Sequence, residues 1–257
     1  MLEILRAGQP SDRPPLVFLH GSFCGAWIWA EHFLPHFAAA GWQCLAVSLR
    51  GHGGSDGDLD QAGVVDYVAD VAEATSGLKQ APILIGHSLG GMVAQHFACR
   101  HPCAGMALLG SVGPGGLGAS LGHMAVWHPD LLTQIVRLQM LGPEGADYDI
   151  VRRGLLSADF PPELAWRYLP NFQRESKRAA WELTLPQWPF LALHPPVPTL
   201  TLMGTQDAFI PWGEFAATAA LWGAETALLP DVPHVMMLDT TWRQTAERFE
   251  DWLSRFS

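Results

Sequence analysis

Ile83-Leu84-Ile85-Gly86-His87-Ser88-Leu89-Gly90-Gly91-Met92-Val93 decides the reading of this chain. Ile83 to Ile85 is short, apolar and rich in β-branched residues, as a buried central strand should be. Beyond Ser88, Leu89, Met92, Val93 and Phe97 recur at helical spacing, and His101-Pro102 ends the run. Between the two lies G-x-S-x-G, Gly86 to Gly90. A strand that turns at once into a helix strains its serine and projects the hydroxyl into open space. A β-carbon at either flanking glycine would then collide with the neighbouring strand or helix. The pentapeptide alone is a weak signal, and the strand before it and helix after it strengthen it.

Working outward, strands alternate with helical segments. Leu16 to Leu19, Cys44 to Ser48, Met106 to Leu109, Thr199 to Met203 and Thr226 to Leu229 read as strands, and Leu2 to Leu5 as an edge strand. Trp27 to Ala40 reads as a helix interrupted near Pro35. Ala62 to Ala74 reads as a helix with Val64, Val65, Val68 and Val71 on its apolar side. Pro211 opens a helix that closes near Gly223. The last helix begins with a capping-box pattern, Thr241-x-x-Gln244, and buries Trp242, Thr245, Phe249, Trp252 and Phe256. This alternation predicts an α/β fold with a mostly parallel central sheet and helices on both faces.

Residues 113–195 break the pattern. Gly113-Pro114-Gly115-Gly116 leads out of a strand, and short helical pieces punctuated by proline follow until Thr199. The expected organisation is a core of residues 1–112 and 196–257 with residues 113–195 inserted as a helical cap. Met124, Trp127, Leu131, Leu138, Met140, Trp166, Trp181 and Trp188 should mostly glue the cap to itself and to the core, a few lining a pocket above Ser88.

Composition narrows the function. The 257 residues carry a formal net charge of −10 and no basic cluster, which argues against a nucleic-acid partner. Met1 to Arg6 has no leader-like basic and apolar regions, and no stretch is long and apolar enough for a membrane span. Cys24, Cys44, Cys99 and Cys103 show no framework spacing, so free thiols and a cytoplasmic location are expected. His32-x-x-x-His36 has no glutamate at the position after His32 and contains Pro35, which argues against zinc. No metal and no nucleotide cofactor is expected.

A serine hydroxyl needs a base to become a nucleophile. His234, in Asp231-Val232-Pro233-His234, follows the last strand and precedes the last helix, so it belongs at the carboxyl end of the sheet with Ser88. Asp207 follows the strand Thr199 to Met203 and suits the orienting carboxylate. Asp231 competes for that role but sits three residues from His234. The backbone N–H of Leu89 is the first oxyanion donor expected. The second is Ser22, in His20-Gly21-Ser22-Phe23, with Phe23 as fallback. His20 should brace its own loop, and His52 should make loop hydrogen bonds. Arg152-Arg153 reads as a solvated helix face, and Trp27 and Trp29 as packing residues. Phe23, Trp127 and Val235 are the expected substrate contacts.

With His20-Gly21, Arg50-Gly51-His52-Gly53, Gly86 to Gly91, Asp207 and Pro233-His234 assembled, the chain resembles α/β-hydrolase-fold serine hydrolases over essentially its whole length. Within them it is similar to the plant methylesterase and hydroxynitrile lyase group and to bacterial esterase-like relatives. The resemblance implies a catalytic triad of Ser88, Asp207 and His234. Hydroxynitrile lyases of that group carry lysine after the catalytic histidine. Val235 stands there instead, which disfavours cyanohydrin cleavage. Epoxide hydrolases and dehalogenases of the fold use an aspartate nucleophile, which Ser88 excludes. The expected function is hydrolysis of small to medium hydrophobic carboxylic esters. Thioester or C–C hydrolysis, perhydrolysis, and a small-ligand receptor of the same fold are the alternatives. Oligomeric state does not follow from the sequence.

Overall fold

The computed structural model describes residues 1–256. Its seven-stranded sheet has the order β1-β3-β2-β4-β5-β6-β7. The strands are β1 (Ile4–Ala7), β2 (Leu16–Leu19), β3 (Cys44–Val47), β4 (Ile83–His87), β5 (Gly105–Leu109), β6 (Thr199–Gly204) and β7 (Glu225–Leu229). Only β1, at one edge, runs antiparallel to its neighbour. The α/β fold with a mostly parallel sheet is as the sequence predicts.

Alternation along the strands divides the core. Phe18, Ala46, Ile85, Leu109 and Leu202 pack with Phe33 and Phe37 of α1 (Phe33–Ala39) and Phe249 and Trp252 of α11 (Trp242–Leu253). Val17, Leu45, Leu84 and Leu108 face the other way. They meet α2 (Val64–Thr75), α3 (Leu89–Ala98) and Trp222 at the end of α10 (Trp212–Trp222). Successive strand residues point to opposite faces, so fully buried strands must be apolar throughout.

Several local details differ from expectation. The break in the first helical segment falls before Pro35: a 3₁₀ turn covers Ala26–Trp29, and Pro35 sits inside the first turn of α1. A first turn has no intrahelical use for the missing N–H, so proline is tolerated there. Val65 is 59% exposed, because it lies one residue off the stripe of Val64, Val68 and Val71. The Thr241-Gln244 capping box is not made. The Thr241 hydroxyl instead donates to Oδ1 of Asp239 at 2.8 Å, and Asp239 is fully buried.

Between β5 and β6 lie α4 (Leu117–Trp127), α5 (Pro129–Leu141), α6 (Tyr148–Leu155), α7 (Pro162–Tyr168), α8 (Lys177–Thr184) and α9 (Trp188–Leu191). Polar ties hold this segment to the core. Glu182 accepts from the Val64 N–H at 2.8 Å, satisfying one of the orphan donors that begin α2. Gln173 bridges the loop after β3, donating to the Gly51 carbonyl at 2.7 Å and accepting from the Gly53 N–H at 3.0 Å. The indoles expected to glue the segment are largely outside: Trp127, Trp166, Trp181 and Trp188 are all exposed, whereas Met124, Leu131 and Leu138 are buried.

Candidate active site

Because β2 and β4 to β7 are parallel, the loops after them open at one edge of the sheet. Ser88 follows β4 immediately and has φ 52° and ψ −117°. Non-glycine residues pay for that conformation, and such strain concentrates at functional sites. Hydrogen bonds hold the bend. The Ser88 N–H donates to the Leu109 carbonyl at 3.1 Å, and the Ser88 carbonyl accepts from Gly91 at 3.0 Å and Val112 at 3.1 Å. The flanking glycines are required as expected. A β-carbon at Gly86 would meet the Gly90 carbonyl, and one at Gly90 the carbonyls of Leu19 and His20.

Asp207 and His234 come together across two loops. His234 Nδ1 donates to Asp207 Oδ2 at 2.8 Å, with both side chains buried. This bond leaves Nε2 as the lone-pair nitrogen of the neutral ring. Asp207 Oδ1 is held in turn by the N–H groups of Phe209 at 2.8 Å and Ile210 at 3.0 Å. Gly110, at φ 48°, makes room for the pair: a β-carbon there would lie 2.9 Å from Asp207 Oδ2. Asp231, the competing acid, is exposed, and its N–H donates to the Thr205 hydroxyl.

Ser88 and His234 line one cavity of about 250 Å³. Phe23 and Val235, two of the expected substrate contacts, line it too, and so does Ser22. So do Leu117, Leu121 and Met124 of α4, at i, i+4 and i+7. Trp127 does not. It is 70% exposed, because ten residues past Leu117, at about 3.6 residues per turn, it falls to the side of the face that carries Leu117, Leu121 and Met124. Leu89 begins α3, where the N–H has no intrahelical acceptor, and its side chain is buried under the sheet. Neither Arg152 nor Arg153 lines the cavity; Arg152 is half-buried and only Arg153 is fully solvated.

His20 braces its loop, Nδ1 donating to the Gly21 carbonyl at 2.8 Å and Nε2 accepting from Leu49 at 3.1 Å. Burial, with His52 nearby, pushes its pKa down to about 3. His87 is a residue that sequence reasoning passed over. Its Nε2 lies 3.0 Å from the His234 carbonyl and its ring centroid 4.7 Å from that of His234. Burial lowers its pKa well below the ordinary value, so it stays neutral and donates from Nε2. Its position inside the pentapeptide was the available signal. Phe209, stacked 4.6 Å from the His234 ring, had none.

Elsewhere, His32 stacks on Trp242 and His36 lies 3.1 Å from Glu250, which accounts for that histidine pair without a metal. Among the described residues no group of three or more His, Cys, Asp or Glu could hold a metal ion. No helix among them is long and apolar enough to cross a membrane. A wider cleft of about 480 Å³ beside Arg50 and Asp70 contains no candidate nucleophile, and its arginines are paired with Asp66 and Asp70.

Relatives share this frame. Epoxide hydrolase B of Mycobacterium tuberculosis (strain ATCC 25618 / H37Rv) is 36% identical over 108 residues, covering 39% of this chain and 30% of that protein. A 2-hydroxy-6-oxo-6-phenylhexa-2,4-dienoate hydrolase of Burkholderia cepacia is 34% identical over 116 residues, 41% of this chain and 38% of that one. The matched stretch thus spans about a third of the length of these curated relatives. A thermophilic esterase from Thermogutta terrifontis superposes with TM-score 0.75 at 22% identity, over 99% of this chain and 93% of that one, a likeness of fold. The sequence model of the Alpha/beta hydrolase family matches residues 16–248, and the chain belongs to that family.

Proposed function

We propose that the protein is a serine hydrolase that cleaves carboxylic esters of small to medium hydrophobic substrates. Ser88 attacks the carbonyl, and His234 Nε2 takes the proton and returns it to the leaving alcohol. Asp207 fixes the imidazole tautomer and stabilises its charged form. The N–H groups of Leu89 and Ser22 hold the oxyanion, and water then hydrolyses the acyl-enzyme. Residues 113–195 act as a cap, supplying the apolar wall through α4 and α5.

The observation that carries this reading is the 2.8 Å bond from Asp207 to a histidine, His234, that lines the same apolar cavity as a serine strained to φ 52°. Strained elbow, base and oriented acid together are what a serine nucleophile requires. A dienoate substrate carries a carboxylate, and no lysine or arginine among the described residues lines the cavity to receive one. That favours neutral esters over the dienoate for which the Burkholderia relative is named.

The test uses p-nitrophenyl acetate and butyrate. Both should turn over, and Ser88→Ala should lose several orders of magnitude in kcat, on the order of 10³ or more. Turnover that persists unchanged in that variant removes Ser88 from the mechanism. Labelling of Ser88 by a fluorophosphonate without multiple turnover of any ester would point to a ligand receptor instead.

A further inference from the structure

Among the described residues lining the cavity, one carries a carboxylate. Glu175, just before α8, is 2% exposed. It is firmly held. Oε1 accepts from the Tyr67 hydroxyl at 2.8 Å and from the Ser176 N–H at 2.7 Å. The Gln139 side chain grips its backbone on both sides, accepting from the N–H at 3.1 Å and donating to the carbonyl at 2.8 Å. Oε2 makes no hydrogen bond; His52 Nε2 lies 3.3 Å away. His52 is itself fully buried and does not line the cavity. Of this ion pair, only the negative member reaches the cavity wall.

Burial alone would drive Glu175 toward its neutral form. The charge of the nearby His52 and the hydrogen bonds from Ser176 and Tyr67 outweigh it and hold the pKa below the ordinary glutamate value. The carboxylate is therefore ionised at neutral pH.

An apolar wall rejects anions and cations alike, since each must lose its water. A fixed carboxylate breaks that symmetry. It repels a second carboxylate and offsets the desolvation of a cation, and the low dielectric of the interior strengthens both effects. Glu175 and Ser88 line the same small cavity, so a substrate bound for attack exposes its distal group to this charge.

We propose that Glu175 is a specificity-determining residue: it makes the cavity accept neutral and cationic acyl groups and refuse those that bear a carboxylate. The inference rests on the ester-hydrolase reading above and names its substrate class.

Three p-nitrophenyl esters of similar length test it: the hexanoate, the glutarate monoester and the γ-trimethylammoniobutyrate. The hexanoate should be fastest. The cationic ester should exceed the anionic one by about tenfold or more in kcat/KM. Glu175→Gln should bring the two charged esters within about threefold of each other. The comparison is a ratio within one preparation, so it does not depend on how much variant folds. Should the variant not fold at all, salt separates the causes in the unmodified protein. High ionic strength screens the surface charge of the chain but not a buried one. An asymmetry that persists in high salt supports Glu175, and one that vanishes overturns it. Equal rates on the two charged esters, or an unchanged ratio in Glu175→Gln, also overturn the inference while leaving the hydrolase reading intact. No turnover of the hexanoate, the butyrate or the acetate removes both.

Discussion

At the residue scale, the site depends on which nitrogen of His234 is free. Asp207 decides it, because a carboxylate can only accept and therefore selects the Nδ1–H tautomer. Asp207→Asn would present an amide N–H to that nitrogen while keeping the acceptor for Phe209 and Ile210. Steady-state kinetics should show kcat on an ester substrate lowered about 10³- to 10⁴-fold, with the far-ultraviolet spectrum unchanged. His87 acts one step further away, through the carbonyl of His234. His87→Leu removes the donor and should lower kcat about tenfold with little change in KM, whereas His87→Gln, which keeps an N–H, should recover part of the loss. Equal damage from both variants would mean that ring packing against His234, rather than the hydrogen bond, is what His87 supplies.

At the element scale, the start of α11 shows why a local pattern can mislead. Thr241 and Gln244 stand at capping-box spacing, yet the organising group is Asp239, two residues earlier. Its carboxylate also accepts from the Ser157 N–H at 2.8 Å and the Ser157 hydroxyl at 2.9 Å, joining the segment after α6 to the core. A buried, fully used acceptor of this kind outcompetes a solvent-facing cap, since leaving it unmade would cost more. Asp239→Ala should lower unfolding stability by about 3 kcal/mol or more, and Gln244→Ala by less than about 0.5 kcal/mol. Urea titration of the two variants distinguishes them, and comparable losses would contradict this account.

At the scale of the whole molecule, buried histidines set the response to acid. Burial is the leading cause of the low pKa of His20, about 3, His96, about 4, and His87, well below the ordinary value. Unfolded imidazoles titrate near about 6.5. Below that value the unfolded chain takes up protons that the folded one refuses. The contribution of these residues is therefore complete above about pH 6.5 and is lost as pH falls. Each contributes a slope of about 1.4 kcal/mol per pH unit, or about 4 kcal/mol for the three together. His52 works in the opposite sense. Burial lowers its pKa, but Glu175 and the nearby backbone carbonyls raise it overall. Its stabilisation is present below the unfolded value and fades as pH rises through the folded one. Glu175, with its lowered pKa, loses its contribution only when pH falls through its folded value. Below about pH 6.5 the His52 contribution is already complete, so the three lowered imidazoles alone set the slope, and Tm should drop steeply between about pH 6.5 and about pH 5. A flat Tm across that range in scanning calorimetry would show that these imidazoles are protonated in the folded protein.

The sequence by itself determined the sheet, the bend at Ser88 and the choice of Asp207 over Asp231 as the partner of His234, because strand alternation, glycine turns and chain order are local or sequential signals. Where each strand ended was legible to within one or two residues for the same reason. Only the tertiary structure decided that Trp127 faces outward, that Asp239 rather than Thr241 organises the last helix, and that His87 and Glu175 face the cavity. Those outcomes depend on the rotation of short helices and on partners far along the chain. Glu175 meets Tyr67 across a separation of 108 residues, and His87 meets His234 across 147. No period or spacing encodes such pairings, because they are fixed by competition among buried polar groups for the few partners that packing brings within reach.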